Sequence, residues 1–306
     1  MMIALLKKWI YAVATIIMFN SCNSDDTAGL PDTEDRGTIH ISADESFKPV
    51  IDSEIQVYQS SHPQAKIIAH YKPEAECLRD FAVDSIRMVI ATRGYSKNEE
   101  NFIIDSMKVA PSKMTVAYDA IAVIVNPQSA DTLFTMNEIR DLVTGRSTRK
   151  LVPVFDGVRA TSTVRFMIDS VLKGGSLGAN VVAAENSEGV INYVAKTKNA
   201  VGFIGVSWVG NKEDSTQLTY LEKVKVAQLQ STGDSNIYVT PAQYNIYYRR
   251  YPMVRDWIYT LKENHNGLAH GFANFLTTQR GQLIFRRAYL MPALMPFNIR
   301  SASLRE

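Results

Sequence analysis

Residues 151–168 read LVPVFDGVRATSTVRFMI. The first five form an apolar run with the length of a buried strand. From Thr163 the apolar residues fall at helical spacing, with Val164, Met167, Ile168, Val171 and Leu172 on one face. A strand that hands over to a helix through a polar turn is the repeating unit of an α/β fold. The turn holds Asp156, Gly157, Arg159, Thr161, Ser162, Thr163 and Arg165, so two guanidinium groups and three hydroxyls stand where a helix begins. Unpaired N–H groups and the positive end of the helix dipole face outward at such a place, which suits an anion. The ordinary use of the same residues is a Ser or Thr cap with solvated arginines, and the rest of the chain decides between the two.

Outward from this unit the alternation repeats. Strands are expected at residues 38–42, 65–71, 86–92, 114–125, 181–184, 201–206 and 224–229. Helices are expected at 47–58, 73–81, 98–104, 135–143 and 188–195. Toward the C-terminus the pattern predicts a strand over 244–248, a helix over 252–261 and one long helix over 267–285. The class is α/β with mainly parallel sheets covered on both faces, and ligands bind outside the carboxyl ends of such strands.

The chain has 306 residues with formal charge +2. Lys7 and Lys8 are the only charges before Cys22, so the remainder carries 31 basic and 31 acidic residues. That balance, with no basic stripe interleaved with aromatics, argues against nucleic acid as a partner. Lys7 and Lys8 precede an uncharged apolar run over 9–19 that is short for a membrane span and reads as a signal peptide. Residues 23–37, NSDDTAGLPDTEDRG, are polar and acidic and read as a disordered tether. Cys77 sits in a helical pattern and reads as a buried structural thiol.

Enzyme chemistry finds little support. The string Gly205-Val206-Ser207-Trp208-Val209-Gly210 approaches a nucleophile elbow, but Val209 stands where that turn needs glycine. The five histidines form no i, i+4 metal pair, and no phosphate-binding glycine motif occurs, so neither metal nor cofactor is expected. Tyr244, Tyr247, Tyr248 and Tyr251 read as strand alternation over one buried face, with an aromatic sugar platform as the less favoured use.

The order of motifs resembles the PstS-like phosphate-binding proteins of phosphate ABC transporters. The matching stretches are ISADESFKPVID, AYDAIAVIVNP, FTMNEIRDLVTG, VRATSTVRF, NAVGFIGVSW, YYRRYPMVRDWIY and FANFLTTQRGQLIFRRAYLMP, in the family's order over residues 38–292. Residues 19–22, FNSC, resemble a lipobox, which would make Cys22 the lipid-modified first residue of an exported protein held at the cell envelope, on the periplasmic side or the cell surface. The resemblance implies a two-lobed periplasmic-binding-protein fold of type II, each lobe a mainly parallel sheet flanked by helices. Lobe one would comprise residues 38–118 and 249–306, and lobe two residues 119–248. Two crossing segments, near 118–120 and 249–251, would join the lobes.

It also implies an oxyanion, phosphate foremost, held between the lobes by a monomer that serves an inner-membrane ABC permease. The first anion loop falls on Ser46 and the Phe47 amide, beside Asp44 and Glu45. The second falls on Thr92 and Arg93, and the third on Arg159, Thr161, Ser162 and Thr163, with Arg165 following. Asp44, Glu45 and Asp156 are the candidates for a carboxylate that accepts the proton of hydrogen phosphate, which sulfate lacks. The alternatives are another ligand or a sensing role on the same fold, and more remotely an extracytoplasmic hydrolase.

Overall fold

The segment RGTIHISAD forms β1 (Arg36–Asp44), which buries Ile39, Ile41 and Ala43 and pairs in parallel with β2 (Gln64–Lys72) along its full length. Arg36 and Gly37 already lie in this ladder, opposite Gln64 and Ala65, so the fold begins before the end of the expected tether. This computed structural model describes residues 32–157, 161–263 and 265–295. The signal peptide, Cys22, the tether as far as residue 31, and Arg159 lie outside the described residues. No helix among the described residues is long and apolar enough to cross a membrane.

After β1 the chain turns into α1 (Lys48–Ser61), returns as β2, and continues through α2 (Glu74–Asp80), β3 (Ile86–Ala91) and α3 (Lys97–Met107) to β4 (Ser112–Val125). Then follow β5 (Leu133–Phe134), α4 (Met136–Thr144), β6 (Val152–Phe155), α5 (Ser162–Phe166), β7 (Val182–Ala183), α6 (Ser187–Lys196) and β8 (Ala200–Gly205). The remainder is α7 (Ser215–Lys223), β9 (Lys225–Val226), β10 (Gln228–Gln230), β11 (Tyr238–Val239), α8 (Gln243–Tyr247), β12 (Val254–Leu261), α9 (Leu268–Thr277), α10 (Gln279–Arg287) and β13 (Met291–Pro292).

The main sheet runs β2-β1-β3-β12-β4-β8-β6-β7. Its flanks, β2-β1-β3 and β8-β6-β7, are parallel, as expected of βαβ units. The centre departs from the expectation, because β12 and β4 run antiparallel to each other and to their neighbours. β4 belongs to both halves. Its residues from Ser112 to Ala120 face β12, and those from Ile121 to Val125 face β8.

Each half is covered on both faces, since successive strand residues point to opposite sides. Met88 and Ile90 join a core with Phe47, Trp257, Phe272 and Phe285 under α1, α9 and α10, while Val89 and Ala91 join Cys77, Phe81 and Ile103 under α2 and α3. In the second half, Ile121, Val123 and Val125 pack with Phe134, Phe155 and Phe203, while Ala122 and Ile124 pack with Val190, Val194 and Trp208. Each such large apolar side chain stabilises the fold by about 1.5–3 kcal/mol. Cys77 is buried and free, as expected, and its Sγ donates to the Lys72 carbonyl at 3.4 Å.

Three C-terminal expectations are corrected. The helix expected over 252–261 is instead strand β12 over Val254–Leu261: in VRDWIYTL the buried residues Arg255, Trp257 and Tyr259 recur with period two. Residues 244–248 fall on helix α8, not a strand, with Ile246 as its buried residue. Tyr244, Tyr247 and Tyr248 are exposed, and Tyr244 packs on Tyr248 one turn away at 4.9 Å. The long C-terminal helix divides at Thr278, which is extended at ψ 164° and caps α10 by accepting from the Gly281 amide.

Candidate functional site

The carboxyl ends of β1, β3 and β6 point at one place, and the side chains there come from both halves of the sheet. β1 ends in Asp44, whose Oδ1 accepts from the Ser46 amide at 2.9 Å and so shapes the turn Glu45–Phe47 that starts α1. The Ser46 carbonyl accepts from Ser207 Oγ at 3.2 Å and from Trp208 Nε1 at 3.0 Å. Ser207 is fully buried and clamps this turn. Phe47 is buried beneath Trp257, with the Arg255 guanidinium 5.2 Å above its ring.

From the other half, β6 leads into Asp156 and Gly157. Gly157 adopts φ +147°, a conformation that residues with a Cβ rarely take. Thr161 caps α5 through the Val164 amide, and Thr163 Oγ1 donates to Asp156 Oδ2 at 3.2 Å. Ser162 is fully buried, and its Oγ stands 3.4 Å from Ser46 Oγ. Glu45 reaches the same half and accepts from Ser187 Oγ, at the start of α6, at 2.9 Å.

Arg255 occupies the centre. It donates to Asp119 Oδ2 at 2.7 Å, to Ser162 Oγ at 2.8 Å and to Ser46 Oγ at 3.0 Å. Gly205 makes this possible, because a Cβ there would lie 3.0 Å from both Arg255 Nη2 and the Ser46 carbonyl oxygen. Beside this cluster, Glu74 at the start of α2 accepts from the Thr92 amide at 2.8 Å and from Thr92 Oγ1 at 2.5 Å. Arg165 of the opposite half donates to the same carboxylate and, at 2.6 Å, to Thr92 Oγ1.

The structure thus brings together Asp44, Glu45, Ser46, Phe47, Thr92, Asp156, Thr161, Ser162, Thr163 and Arg165. Arg93 does not join them: it turns away and grips Glu99 with two bonds of 2.9 and 3.1 Å. Arg255, Asp119, Glu74 and Ser187 were not anticipated as site residues. Arg255 and Asp119 do lie within the quoted stretches YYRRYPMVRDWIY and AYDAIAVIVNP, where a charged residue amid an apolar strand was the available signal.

The cluster is rich in acid. Asp44, Glu45, Glu74, Asp119 and Asp156 face two described guanidinium groups, Arg165 and Arg255. Burial pushes Asp44 up to about 6, with the Glu74 carboxylate adding to the shift against Arg255. Burial likewise raises Glu45 to about 7 against the Ser187 hydrogen bond, and raises Asp156. Asp44 Oδ2 and Asp156 Oδ1 are buried without a partner among the described residues. Burial thus lets these carboxyls take up a proton at higher pH than exposed ones would. With three hydroxyls, a guanidinium and unpartnered carboxylate oxygens, the arrangement can surround a small oxyanion and also accept its hydrogens. Among the described residues the hydroxyls here are engaged with carboxylates, amides and guanidinium groups.

The fold is shared with known proteins. A family model described as PBP superfamily domain, PBP_like_2, matches residues 29–280. No curated protein sequence matches the chain. Among solved structures, one described as a phosphate ABC transporter substrate-binding protein with bound phosphate, from Clostridium perfringens, superposes with TM-score 0.70 at 20% identity, over 84% of this chain and 100% of that one. An ABC-type phosphate transport receptor from Vibrio cholerae superposes with TM-score 0.62 at 16% identity, over 84% and 100% of the two chains. A phosphate-binding protein from Stenotrophomonas maltophilia gives 0.59 at 11% identity, over 84% and 90%. These likenesses establish a shared two-lobed fold, and the family match covers most of the sequence: the chain belongs to the PBP superfamily.

Proposed function

We propose that the protein captures inorganic phosphate, or a related oxyanion that carries a proton, in the crevice between its halves and releases it unchanged to a membrane permease. The observation that carries this reading is the position of Arg255, which donates to the Ser46 and Ser162 hydroxyls from the two sides of that crevice. Thr161 and Thr163 stand beside Ser162, and Arg159 follows Gly157 by two residues in the sequence. Residues 38–118 with 249–306 act as one lobe and 119–248 as the other, turning about the adjacent strands β4 and β12. Export and a lipid on Cys22 hold the monomer at the cell envelope. Closure is favoured by the ligand only through contacts to both lobes, and Ser46 and Ser162 supply one from each.

The excess of carboxylates favours hydrogen-bearing ligands. Asp44 and Asp156 have the free oxygens to accept a P–OH hydrogen, whereas sulfate would leave those acceptors buried and unpaired. Calorimetry on the chain from Thr33 tests both points. Saturable phosphate binding that sulfate does not compete is expected. Competition by sulfate points to a general oxyanion site, and failure of every oxyanion to bind overturns the reading.

A further inference from the structure

Thr92 and Arg165 read from the sequence as anion donors, yet both are already satisfied. The carboxylate of Glu74 accepts from the Thr92 amide, the Thr92 hydroxyl, and Nε and Nη2 of Arg165, with the guanidinium arriving from the opposite half of the sheet. Its side chain is 2% exposed. A backbone amide, a hydroxyl and a two-pronged guanidinium around a dry pair of oxygens is how proteins hold a free anion. We propose that Glu74 is a resident anion: its carboxylate fills an oxyanion position next to the one at Ser46, Ser162 and Arg255, and so restricts the crevice to ligands with a single small anionic group.

Three observations support this. First, Ser162 and Arg165 lie three residues apart and so share a face of the same helical stretch, which sets the two positions side by side. Second, although burial works to raise its pKa, the bonds from Arg165 and Thr92 win and hold Glu74 below its usual range, so the carboxylate is charged. Third, the charge of Glu74 is felt at the neighbouring position, where it adds to the burial that raises the Asp44 pKa. A ligand with two anionic groups, such as diphosphate, would have to displace a carboxylate tethered to α2. Orthophosphate meets no such competitor. The restriction on ligand size rests on the phosphate reading above, while the anion character of Glu74 does not.

Chemical rescue tests the proposal on the whole described unit. Glu74→Ala removes the carboxylate and leaves room for acetate between Thr92 and Arg165. Its melting temperature is expected to fall below that of the unaltered chain and to rise saturably with acetate, but not with chloride at the same ionic strength. If the variant does not fold in chloride, refolding from urea in acetate gives the same readout. Glu74→Ala with Arg165→Ala is expected to ignore acetate, and diphosphate is expected to bind Glu74→Ala alone. A single variant that responds equally to acetate and chloride, or that stays unfolded in both, overturns the proposal. If the unaltered chain ignores phosphate while Glu74→Ala takes up acetate, the phosphate reading fails and the resident anion stands. The reverse pattern does the opposite.

Discussion

Arg255 and Asp119 stand opposite each other in the antiparallel ladder of β12 and β4, and their side chains pair at 2.7 Å with both essentially out of solvent. A cross-strand ion pair at the centre of a ten-stranded sheet fixes the guanidinium so that its remaining N–H groups can aim only at Ser46 and Ser162. Asp119→Asn removes the counter-charge and leaves a buried cation, a change that costs about 3–5 kcal/mol. For a chain of this size, each kcal/mol lowers the melting temperature by about 2–4 °C, so thermal denaturation should show a loss on the order of 10 °C. A shift within the error of the measurement would show that the pair contributes nothing.

Gly205→Ala tests the same geometry from the third strand. The new methyl group meets Arg255 Nη2 and the Ser46 carbonyl oxygen at 3.0 Å and Asp119 Oδ2 at 3.4 Å. Overpacking of a tight site typically costs about 1–3 kcal/mol. Because the atoms that must give way include the anion-facing guanidinium, phosphate affinity should drop together with stability. An alanine variant with unaltered phosphate affinity by calorimetry would show that Arg255 does not face the ligand.

Stability should fall as pH rises from about 4 to about 7. Burial, reinforced by neighbouring carboxylates, lifts Asp44 from 3.8 to about 6 and Glu45 from 4.5 to about 7. In that window the folded chain therefore binds more protons than the unfolded chain, and the free energy of unfolding declines with pH. Glu99, held at about 2 first by its hydrogen bonds from Arg93, acts in the opposite sense, and only as pH falls below its ordinary value of 4.5. Urea denaturation at several pH values checks the slope. Glu45→Gln should flatten its upper part, and a stability that rises from pH 5 to pH 7 contradicts the assignment.

Glu54 offers a route to a more stable protein. It lies fully buried on α1, neither carboxylate oxygen has a partner among the described residues, and burial raises its pKa well above the usual range. Exchanging an unpaired buried polar group for an apolar one of similar volume removes a desolvation penalty of about 1–3 kcal/mol. Glu54→Met should therefore melt several degrees higher at pH 8, and the advantage should shrink toward pH 4, where the native carboxyl holds its proton without penalty. A lower melting point at pH 8 would reveal a use for the carboxyl.

What could be read in the sequence followed from where each residue sits. Asp44, Ser46, Asp156, Thr161 and Ser162 lie in strand-to-helix turns, where polar residues interrupt two apolar periodicities and advertise themselves. Arg255 and Asp119 lie inside strands, and only the pairing of residues far apart in the chain makes one the partner of the other. The tyrosines at 244–248 misled because alternate aromatic residues suit a strand face and a helix face alike over so short a span. Their exposure, with Arg250 lying over the rings of Tyr244 and Tyr248, is a product of tertiary structure. Glu74 resembled an ordinary first-turn acid, and its role depends on an arginine about ninety positions downstream.

The place of β12 between β3 and β4 constrains the order of events when the chain is made. Residues 254–261 leave the ribosome after β1 to β11, yet they supply the strand that joins the parallel flank β2-β1-β3 to β4. Until they arrive, β3 and the first part of β4 present unpaired edges, a state prone to association with other chains. The flank β2-β1-β3 is thus obliged to wait, open, until every strand from β4 to β11 has been made. Delayed closure of the sheet keeps the earlier strands pliable until β12 is at hand.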